Sequence, residues 1–383
     1  MAADADASCE RPSHMMSAID PAPIPDDPPR ICAELFPELR DRVYLDTGSA
    51  GLSPVGMGRA AAQFYDEAKA TGYRGQAAWQ AKAAKVRGDL AVMLSVDPAE
   101  IEFLSGTTDA LNFVSHSFPW QPGDEVVFAE DDFPSVRLAW LSAERAGAVL
   151  KPVPIPSEPE RSAALIAAIT PRTRLVATAQ VQSVSGTRVD LDAIGRACHT
   201  QGALFVVDGI HALGATPVPL DHVDVFAAGV FKWMLAGFGL SVCILRPRAR
   251  ALLQPAYRGY LNQSEGDGFQ FAHVNYPGLY ALEASMEVMG GIGWDLVHRR
   301  TLALVGWLAD GLQDLGIELL APPGQRAGVA TLAVPESERV VQALAAHSIH
   351  VARKGPLLRA TPFFYNSRED VAQFVHALKG EIR

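Results

Sequence analysis

Apolar segments of strand length alternate with segments of helical spacing between residues 101 and 229, and this alternation restricts the fold more than any other feature. Six such segments are IEFL (101–104), EVVFAE (125–130), AVLKPVPI (148–155), RLVATAQV (174–181), LFVVDG (204–209) and VDVFAAG (223–229). Strands that alternate with helices form parallel sheets covered by helices. The sequence therefore predicts an α/β fold in which ligands bind beyond the carboxyl ends of the strands.

The length of the chain, 383 residues, predicts two domains, because one hydrophobic core rarely serves so many residues. Residues 1–30 are rich in Ala, Asp and Pro and are expected to form a disordered arm. Residues 31–265 are expected to form the large domain, with the first part of this range able to pack on the smaller one. A polar, glycine-bearing segment at 260–270 marks the exit from it. Residues 266–383 then form a smaller α+β domain that begins with an interdomain helix.

The charge balance favours small-molecule chemistry over nucleic-acid binding, because 33 basic and 43 acidic residues give a net charge of −10. The first thirty residues lack the apolar core of a secretory signal. The cysteines show neither paired metal-ligand spacing nor a disulfide framework, so no metal site is predicted: Cys9, Cys32, Cys198 and Cys243. We therefore expect a cytoplasmic protein with no membrane or nucleic-acid partner.

The segment Val225–Leu245 is almost entirely apolar and contains one charged residue, Lys232. Its length suits a bilayer-spanning helix. Three glycines, Gly229, Gly237 and Gly239, divide it, which favours a buried strand, a turn with the lysine and a second buried strand. An amine in apolar surroundings has a lowered pKa and becomes a nucleophile suited to Schiff-base chemistry. The alternative is a lysine whose stem packs in the core while its ammonium reaches solvent.

Two further loops carry candidate ligand contacts. SGTTDALN (105–112) follows a strand and opens a helix, so the amides of Gly106, Thr107 and Thr108 can bind a phosphate. An ordinary helix N-cap is the alternative. Asp208 ends a fully apolar strand, where an unpaired carboxylate is costly, so it needs a cationic partner unless it caps the next turn.

Together, a phosphate loop, a strand-end carboxylate and a lysine in an apolar turn match the parts of pyridoxal 5′-phosphate, which has a phosphate, a pyridine nitrogen and an aldehyde. In this order and spacing the segments resemble those of fold-type I pyridoxal-phosphate enzymes of the class V aminotransferase family. That family contains cysteine desulfurases, selenocysteine lyases, kynureninases and isopenicillin N epimerase-like proteins. The resemblance extends from Val43 nearly to the C-terminus. It implies a mostly parallel seven-stranded sheet in the large domain and a homodimer with shared active sites.

The resemblance also assigns roles to individual residues. The expected contacts at the cofactor's phosphate are Gly106, Thr107 and Thr108. Phe133 is expected to stack on the ring, where the family often has histidine, and Gln182 is expected at the phenolic oxygen. Asp208 is expected at the pyridine nitrogen and Lys232 at the aldehyde, and the two further expected cofactor contacts are His211 and His273. For His211 the alternative is packing within its turn, and for His273, expected at the partner subunit's phosphate, it is a loop position without a role. The substrate is expected to contact Arg359, whose guanidinium would hold the α-carboxylate, and Ala50 and Gly51 in the small-residue turn TGSAGLSP (47–54).

Two departures from the family are informative. Desulfurases and many relatives carry Ser-Gly-His before the lysine, whereas Gly229, Val230 and Phe231 stand here, so one phosphate contact is missing. A persulfide-forming desulfurase needs a cysteine on a small-domain loop above the site, and residues 320–365 contain none. Because Cys243 lies in an apolar strand and is expected in the core, a sulfur relay is not expected.

The predicted function is a reaction at the Cα of an amino acid, with Lys232 and Asp208 as the catalytic residues. Lys232 forms a Schiff base with the cofactor and later removes the Cα proton, while Asp208 keeps the pyridine nitrogen protonated so that the ring accepts the carbanion's charge. Amino-group transfer or β-elimination of the C–S lyase type is expected. An amino-acid epimerase or racemase is the alternative, and so is a catalytically silent binding protein on the same fold.

Overall fold

The computed structural model describes residues 24–264 and 268–382. Most of the arm predicted for residues 1–30, namely residues 1–23, lies outside them. The described end of this arm is held by hydrogen bonds to the folded part of the chain. The backbone carbonyls of Pro25 and Asp26 accept from the buried guanidinium of Arg300. The carbonyl of Asp26 also accepts from the backbone N–H of Arg368, at 2.9 Å.

The strands of the described residues form one large and two small sheets. In chain order they are β1 Val43–Tyr44, β2 Ile101–Leu104, β3 Glu125–Ala129, β4 Val149–Val153, β5 Thr173–Ala179, β6 Leu204–Asp208, β7 Val225–Gly229, β8 Ser241–Leu245, β9 Ala330–Ala333, β10 Ile349–His350, β11 Ala352–Lys354 and β12 Leu357–Ala360. The large sheet has seven strands in the order β2-β8-β7-β6-β5-β3-β4. Only β8 runs antiparallel to its neighbours, so the predicted α/β fold with a mostly parallel sheet is confirmed.

The helices cover both faces of the large sheet and one face of the three-stranded sheet β11-β12-β9. They are α1 Cys32–Leu35, α2 Met57–Thr71, α3 Gln76–Leu94, α4 Thr107–Ser117, α5 Pro134–Leu138, α6 Leu141–Arg145, α7 Arg161–Ala167, α8 Leu191–Thr200, α9 Pro247–Leu252, α10 Tyr276–Ile292, α11 Trp294–Gln313, α12 Ser337–Ala346 and α13 Arg368–Glu381. The interdomain helix predicted at the start of the smaller domain is two helices, α10 and α11. Gly293 separates them, because its φ of +99° lies in the left-handed region that other residues avoid.

Both faces of the large sheet are buried, which explains why its strands are continuously apolar. In β6, Phe205 and Val207 face one core, whereas Leu204 and Val206 face the other. A third core surrounds the three-stranded sheet and includes Val43 from β1. Helix α11 runs between cores, with its first half on the large sheet's core and its second half in the third. The domain division at residue 265 stays a prediction.

The segment from Val225 to Leu245 forms β7, a turn and β8, as its glycines predicted. Gly237 and Gly239 have φ of +73° and +85° in that turn. Across the described residues, no helix has both the length and the hydropathy needed to cross a bilayer.

Candidate active site

Lys232 lies in the turn between β7 and β8, beyond the carboxyl end of the parallel strands. The turn is closed by the backbone N–H of Ala236, which donates to the carbonyl of Val230 at 3.0 Å. The Nζ atom lies 3.0 Å from Nε2 of His211 and 5.6 Å from the ring centre of Phe231. Burial lowers the pKa of Lys232 to about 8, and Asp208 partly opposes this effect. About a tenth of the amine is therefore unprotonated at pH 7, far more than for an ordinary lysine.

His211 connects Lys232 to Trp233. Nε1 of Trp233 donates to Nδ1 of His211 at 3.3 Å, so Nδ1 carries no proton. Burial and the nearby Lys232 hold the pKa of His211 well below its usual range, so the ring is neutral. A neutral imidazole that accepts at Nδ1 must carry its proton on Nε2. When Lys232 is unprotonated, the Nε2–H donates to Nζ, because an ammonium nitrogen cannot accept a hydrogen bond.

Asp208 is the last residue of β6, the strand next to β7. Its Oδ1 accepts from the backbone N–H of Ile210 at 2.9 Å. Burial raises the pKa of Asp208 to about 6, although this hydrogen bond and the charge of Lys232 lower it. A buried carboxylate of this kind is poised to pair with a cationic group of a ligand.

A cavity of about 180 Å³ lies among these residues. Its wall consists of Gly106, Thr107, Thr108, Phe133, Ser135, Ala179, Val181, Ser183, Asp208, Ile210, His211, Phe231 and Lys232. One end of it is the N-terminus of α4, whose first amides have no partner within the helix and attract anions. The hydroxyl of Thr107 accepts from the backbone N–H of Gly229 at 2.8 Å, which leaves its hydrogen for a ligand. Thr108 and Ser135 share a hydroxyl hydrogen bond of 2.7 Å.

Gln182 does not line this cavity. Its Nε2 donates to the carbonyl of Asp131 at 3.0 Å, and its Oε1 accepts from the amides of Val184 and Ser185. These contacts use Oε1 and one of the two Nε2–H donors, so the contact of Gln182 with the cofactor stays a prediction. The neighbouring residue, Ser183, lines the cavity instead.

Arg359 approaches the cavity from β12. Its Nη1 donates to the carbonyl of Ser183 at 3.0 Å, and its Nη2 donates to Oγ of Ser49 at 2.9 Å. Asp46 lies 3.7 Å from Nη2. The Nε atom of Arg359 is buried and has no hydrogen-bond partner among the described residues. A guanidinium with an unused donor is suited to an anionic group of a ligand.

Gly51 contacts the turn that holds Lys232, and neither Gly51 nor Ala50 is part of the cavity wall. The backbone N–H of Gly51 donates to the carbonyl of Phe231 at 2.9 Å. A Cβ at Gly51 would lie 2.0 Å from the carbonyl oxygen of Lys232, so only glycine permits this approach. The carbonyl of Ala50 accepts from the hydroxyl of Tyr44 at 2.7 Å.

His273 lies outside the cavity that Lys232 lines. It borders a separate cavity of about 200 Å³ together with Ser105, Gly239 and Phe271. Its ring centre is 5.2 Å from that of Tyr260. This position does not conflict with the expected role of His273 at the partner subunit's phosphate, which stays a prediction. Among the described residues there is also no cluster of His, Cys, Asp and Glu that could hold a metal ion.

The donor set fits pyridoxal phosphate. Lys232 offers an amine with a lowered pKa to an aldehyde, and Asp208 offers a carboxylate with a single hydrogen bond to a described residue. The N-terminus of α4 offers amides and a hydroxyl hydrogen to a phosphate. These three groups line one cavity, as the ligand requires.

Comparisons with known proteins agree with this site. The sequence profile of the family described as "Aminotransferase class-V" matches residues 43–374. The chain is 27% identical over 317 residues to a probable cysteine desulfurase of Methanothermobacter thermautotrophicus, covering 77% of this chain and 78% of that one. It is 27% identical over 341 residues to isopenicillin N epimerase of Streptomyces clavuligerus, covering 78% and 83%.

Solved structures share the fold. The cystine C-S lyase C-DES, solved in complex with its product cysteine persulfide, has a TM-score of 0.83 at 22% identity, covering 90% of this chain and 98% of that one. The apo cysteine desulfurase of Thermococcus onnurineus NA1 has a TM-score of 0.83 at 22% identity, covering 93% and 98%. Since the family profile spans most of the sequence, the protein belongs to the class-V aminotransferase family and is a pyridoxal-phosphate-dependent enzyme.

Proposed function

We propose that this enzyme removes the Cα proton of an amino acid and completes either amino-group transfer or β-elimination of the C–S lyase type. The observation that carries the proposal is Lys232, an amine with a lowered pKa at 3.0 Å from His211 in the cavity that Asp208 also lines. When bound, pyridoxal phosphate supplies the electron-withdrawing ring that stabilises negative charge at the substrate's Cα.

Each residue of the cavity has a distinct task in this proposal. Lys232 holds the cofactor and, once the substrate's amino group has taken its place, removes the Cα proton with its free amine. Asp208 presents a carboxylate that keeps a ring nitrogen protonated. Arg359 holds the α-carboxylate with the donors that Ser49 and the Ser183 carbonyl orient. Phe133, at the cavity wall and 48% exposed, covers the ring as an apolar clamp.

A protein-bound persulfide does not fit the described cysteines. Cys32, Cys198 and Cys243 are all buried free thiols. Burial raises the pKa of Cys32 and of Cys198 to about 12, and raises that of Cys243 further, so none is a thiolate at neutral pH. Elimination of a sulfur substituent without a protein thiol is therefore the form of C–S cleavage that we propose. Free thiols also support our proposal of a cytoplasmic location.

Epimerisation is less well supported by the site. Inversion with two bases needs a second titratable group on the far side of the substrate from Lys232. The titratable residues of the described cavity wall are Asp208, His211 and Lys232. His211 contacts Lys232 directly, and Asp208 supports the ring. The wall thus offers no further base for delivering a proton from the opposite side.

We also propose a homodimer that brings His273 to the partner subunit's cavity. Exposed rings surround it: Tyr73 is 68% exposed, Tyr260 is 54% exposed and Phe271 is 37% exposed. Gly239, beside the 71% exposed Phe238, borders the same small cavity as His273. An exposed aromatic patch of this kind is typical of a protein interface. Analytical ultracentrifugation of wild type and Tyr260→Asp tests it, and a monomer with undiminished cofactor affinity would overturn it.

Two measurements test the main proposal. Borohydride reduction of the cofactor-loaded protein should fix the cofactor covalently on Lys232, as located by peptide mapping, and Lys232→Ala should abolish turnover. Lys151→Ala is the matched control, because this lysine pairs with Glu125 on β3, away from the cavity wall. Product analysis with candidate amino acids then separates a keto acid from pyruvate with ammonia and from a D-isomer. An adduct on another lysine, or a D-isomer alone, would contradict the proposal.

A further inference from the structure

The hairpin β11–β12 places a second cation beside Arg359. In its antiparallel register Ala352 lies opposite Arg359, and Lys354 lies opposite Leu357. Residues directly opposite project to the same face, and side chains alternate along a strand. Lys354 therefore shares a face with Arg359 as its diagonal neighbour, and Arg359 is directed towards Ser183 on the cavity wall. Arg353 projects to the other face, where it pairs with Glu338 at 3.4 Å.

The turn of this hairpin fixes that placement. Gly355 and Pro356 are the only residues between β11 and β12. Gly355 has a φ of +58°, which suits a tight turn, and the ring of Pro356 removes backbone freedom. The last residue of β11, Lys354, is thus held at the end of a short ladder rather than on a long loop.

Lys354 is half-buried and has no ion pair or hydrogen bond with any described residue. Its charge nevertheless reaches the site, since it contributes to the lowered pKa values of Lys232 and His211. Burial and the neighbouring Arg359 lower the pKa of Lys354 itself. A cation that is partly desolvated and unpaired costs free energy unless a ligand supplies the missing anion.

Lys354 and Arg359 share one nearby acid, Asp46. Asp208 is assigned to the cofactor, and Asp46 lies 3.7 Å from Arg359. A substrate α-carboxylate bound to Arg359 would complete the contacts of that guanidinium and would still leave Lys354 without an anionic partner.

We propose that Lys354 forms a subsite for a second anionic group, so that the preferred substrate is an amino acid whose side chain ends in a carboxylate or a sulfur oxyacid. This inference rests on the proposed function for the site's location, because it takes Arg359 as the α-carboxylate contact. A charge-assisted contact with a half-buried ammonium gives about ten- to a hundredfold discrimination against a neutral side chain.

The test uses the cofactor-loaded enzyme and two unreactive probes of equal chain length, succinate and butyrate. Calorimetry should show succinate binding about tenfold more tightly than butyrate to wild type. Lys354→Met should remove this preference, whereas Arg353→Met, the same change on the opposite face, should keep it. Thermal unfolding of both variants checks that each folds. In turnover assays the kcat/KM ratio of L-aspartate, L-glutamate or L-cysteine sulfinate to L-alanine should fall in Lys354→Met alone.

The outcomes separate this inference from the proposed function. Loss of the succinate preference in Lys354→Met supports the subsite even if none of the amino acids is turned over, a result that would contradict only the proposed function. An unchanged preference in Lys354→Met, with normal turnover of neutral amino acids, overturns the subsite and leaves the proposed function standing. Equal affinities of wild type for succinate and butyrate also overturn it.

Discussion

Replacing Trp233 by phenylalanine should raise the pKa of Lys232. In wild type the indole N–H donates to Nδ1 of His211 at 3.3 Å, which keeps the imidazole proton on Nε2 and directs it at Nζ. Without the indole N–H, the imidazole proton can move to Nδ1 and Nε2 becomes an acceptor. Nε2 then accepts from the ammonium form of Lys232 and stabilises it, so the amine holds its proton to higher pH.

The magnitude follows from the pKa of Lys232 and the value of one hydrogen bond. A pKa of about 8 instead of 10.5 makes the free-amine fraction at pH 7 about 300 times that of an ordinary lysine. A buried hydrogen bond contributes about 1 to 1.5 kcal/mol, which corresponds to about one pH unit. Trp233→Phe should therefore cut the free-amine fraction at pH 7 about tenfold and leave it almost unchanged above about pH 10.

The assay is the rate at which cofactor-free protein captures pyridoxal phosphate between pH 6 and 10, followed by absorbance. The rate rises with the free-amine fraction, so the variant's profile should move to higher pH. Trp140→Phe is the matched control, because Trp140 is also fully buried but its Nε1 has no hydrogen-bond partner among the described residues. Superimposable profiles of Trp233→Phe and wild type would refute the proposed control of Lys232 by the indole.

Three further outcomes are expected. Asp208→Asn should bind the cofactor, but its rate of exchange of the substrate's Cα proton should fall at least about a hundredfold because the carboxylate charge is lost. An exchange rate equal to that of wild type would contradict this role of Asp208. Arg359→Lys should lower kcat/KM for amino acids about ten- to a hundredfold, since a lysine cannot replace the planar fork, and should spare the corresponding amines; equal losses for both would show a structural role. Alkylation of accessible thiols should leave turnover intact, because the described cysteines are buried, and complete loss traced to one alkylated cysteine would revive a persulfide mechanism.

The fold was predictable because both faces of each central strand are buried, which produces uninterrupted apolar segments such as the one that ends at Asp208. The loops that carry the reactive residues can then be located from the topology, because neighbouring parallel strands end at the same edge of the sheet. This reasoning locates Asp208 on β6 and Lys232 beyond the next strand. The structure brings both, with the N-terminus of α4, to one cavity.

Other details of the site depend on single-residue register, which apolar spacing does not encode. Gln182 and Ser183 are adjacent in an irregular segment, and one step along the chain decides which faces the ligand. The contact of Trp233 with His211 is equally invisible, because a tryptophan in an apolar segment reads as core, and Trp233 is indeed fully buried. The position of Lys354 follows only from the pairing of β11 with β12.

A short segment, residues 46–51, lies between the two parts of the site, namely the strand that carries Arg359 and the turn that carries Lys232. On one side the backbone N–H of Gly48 donates to Oγ1 of Thr361 at 2.8 Å, just beyond the strand that carries Arg359. On the other side Gly51 lies against the turn with Lys232, where a larger residue would collide. This segment thus links the strand that carries Arg359 to the turn that carries Lys232. Small residues are needed there because the segment passes between two backbones, and the hydrogen bonds span 180 and 313 positions in sequence, beyond the reach of local patterns.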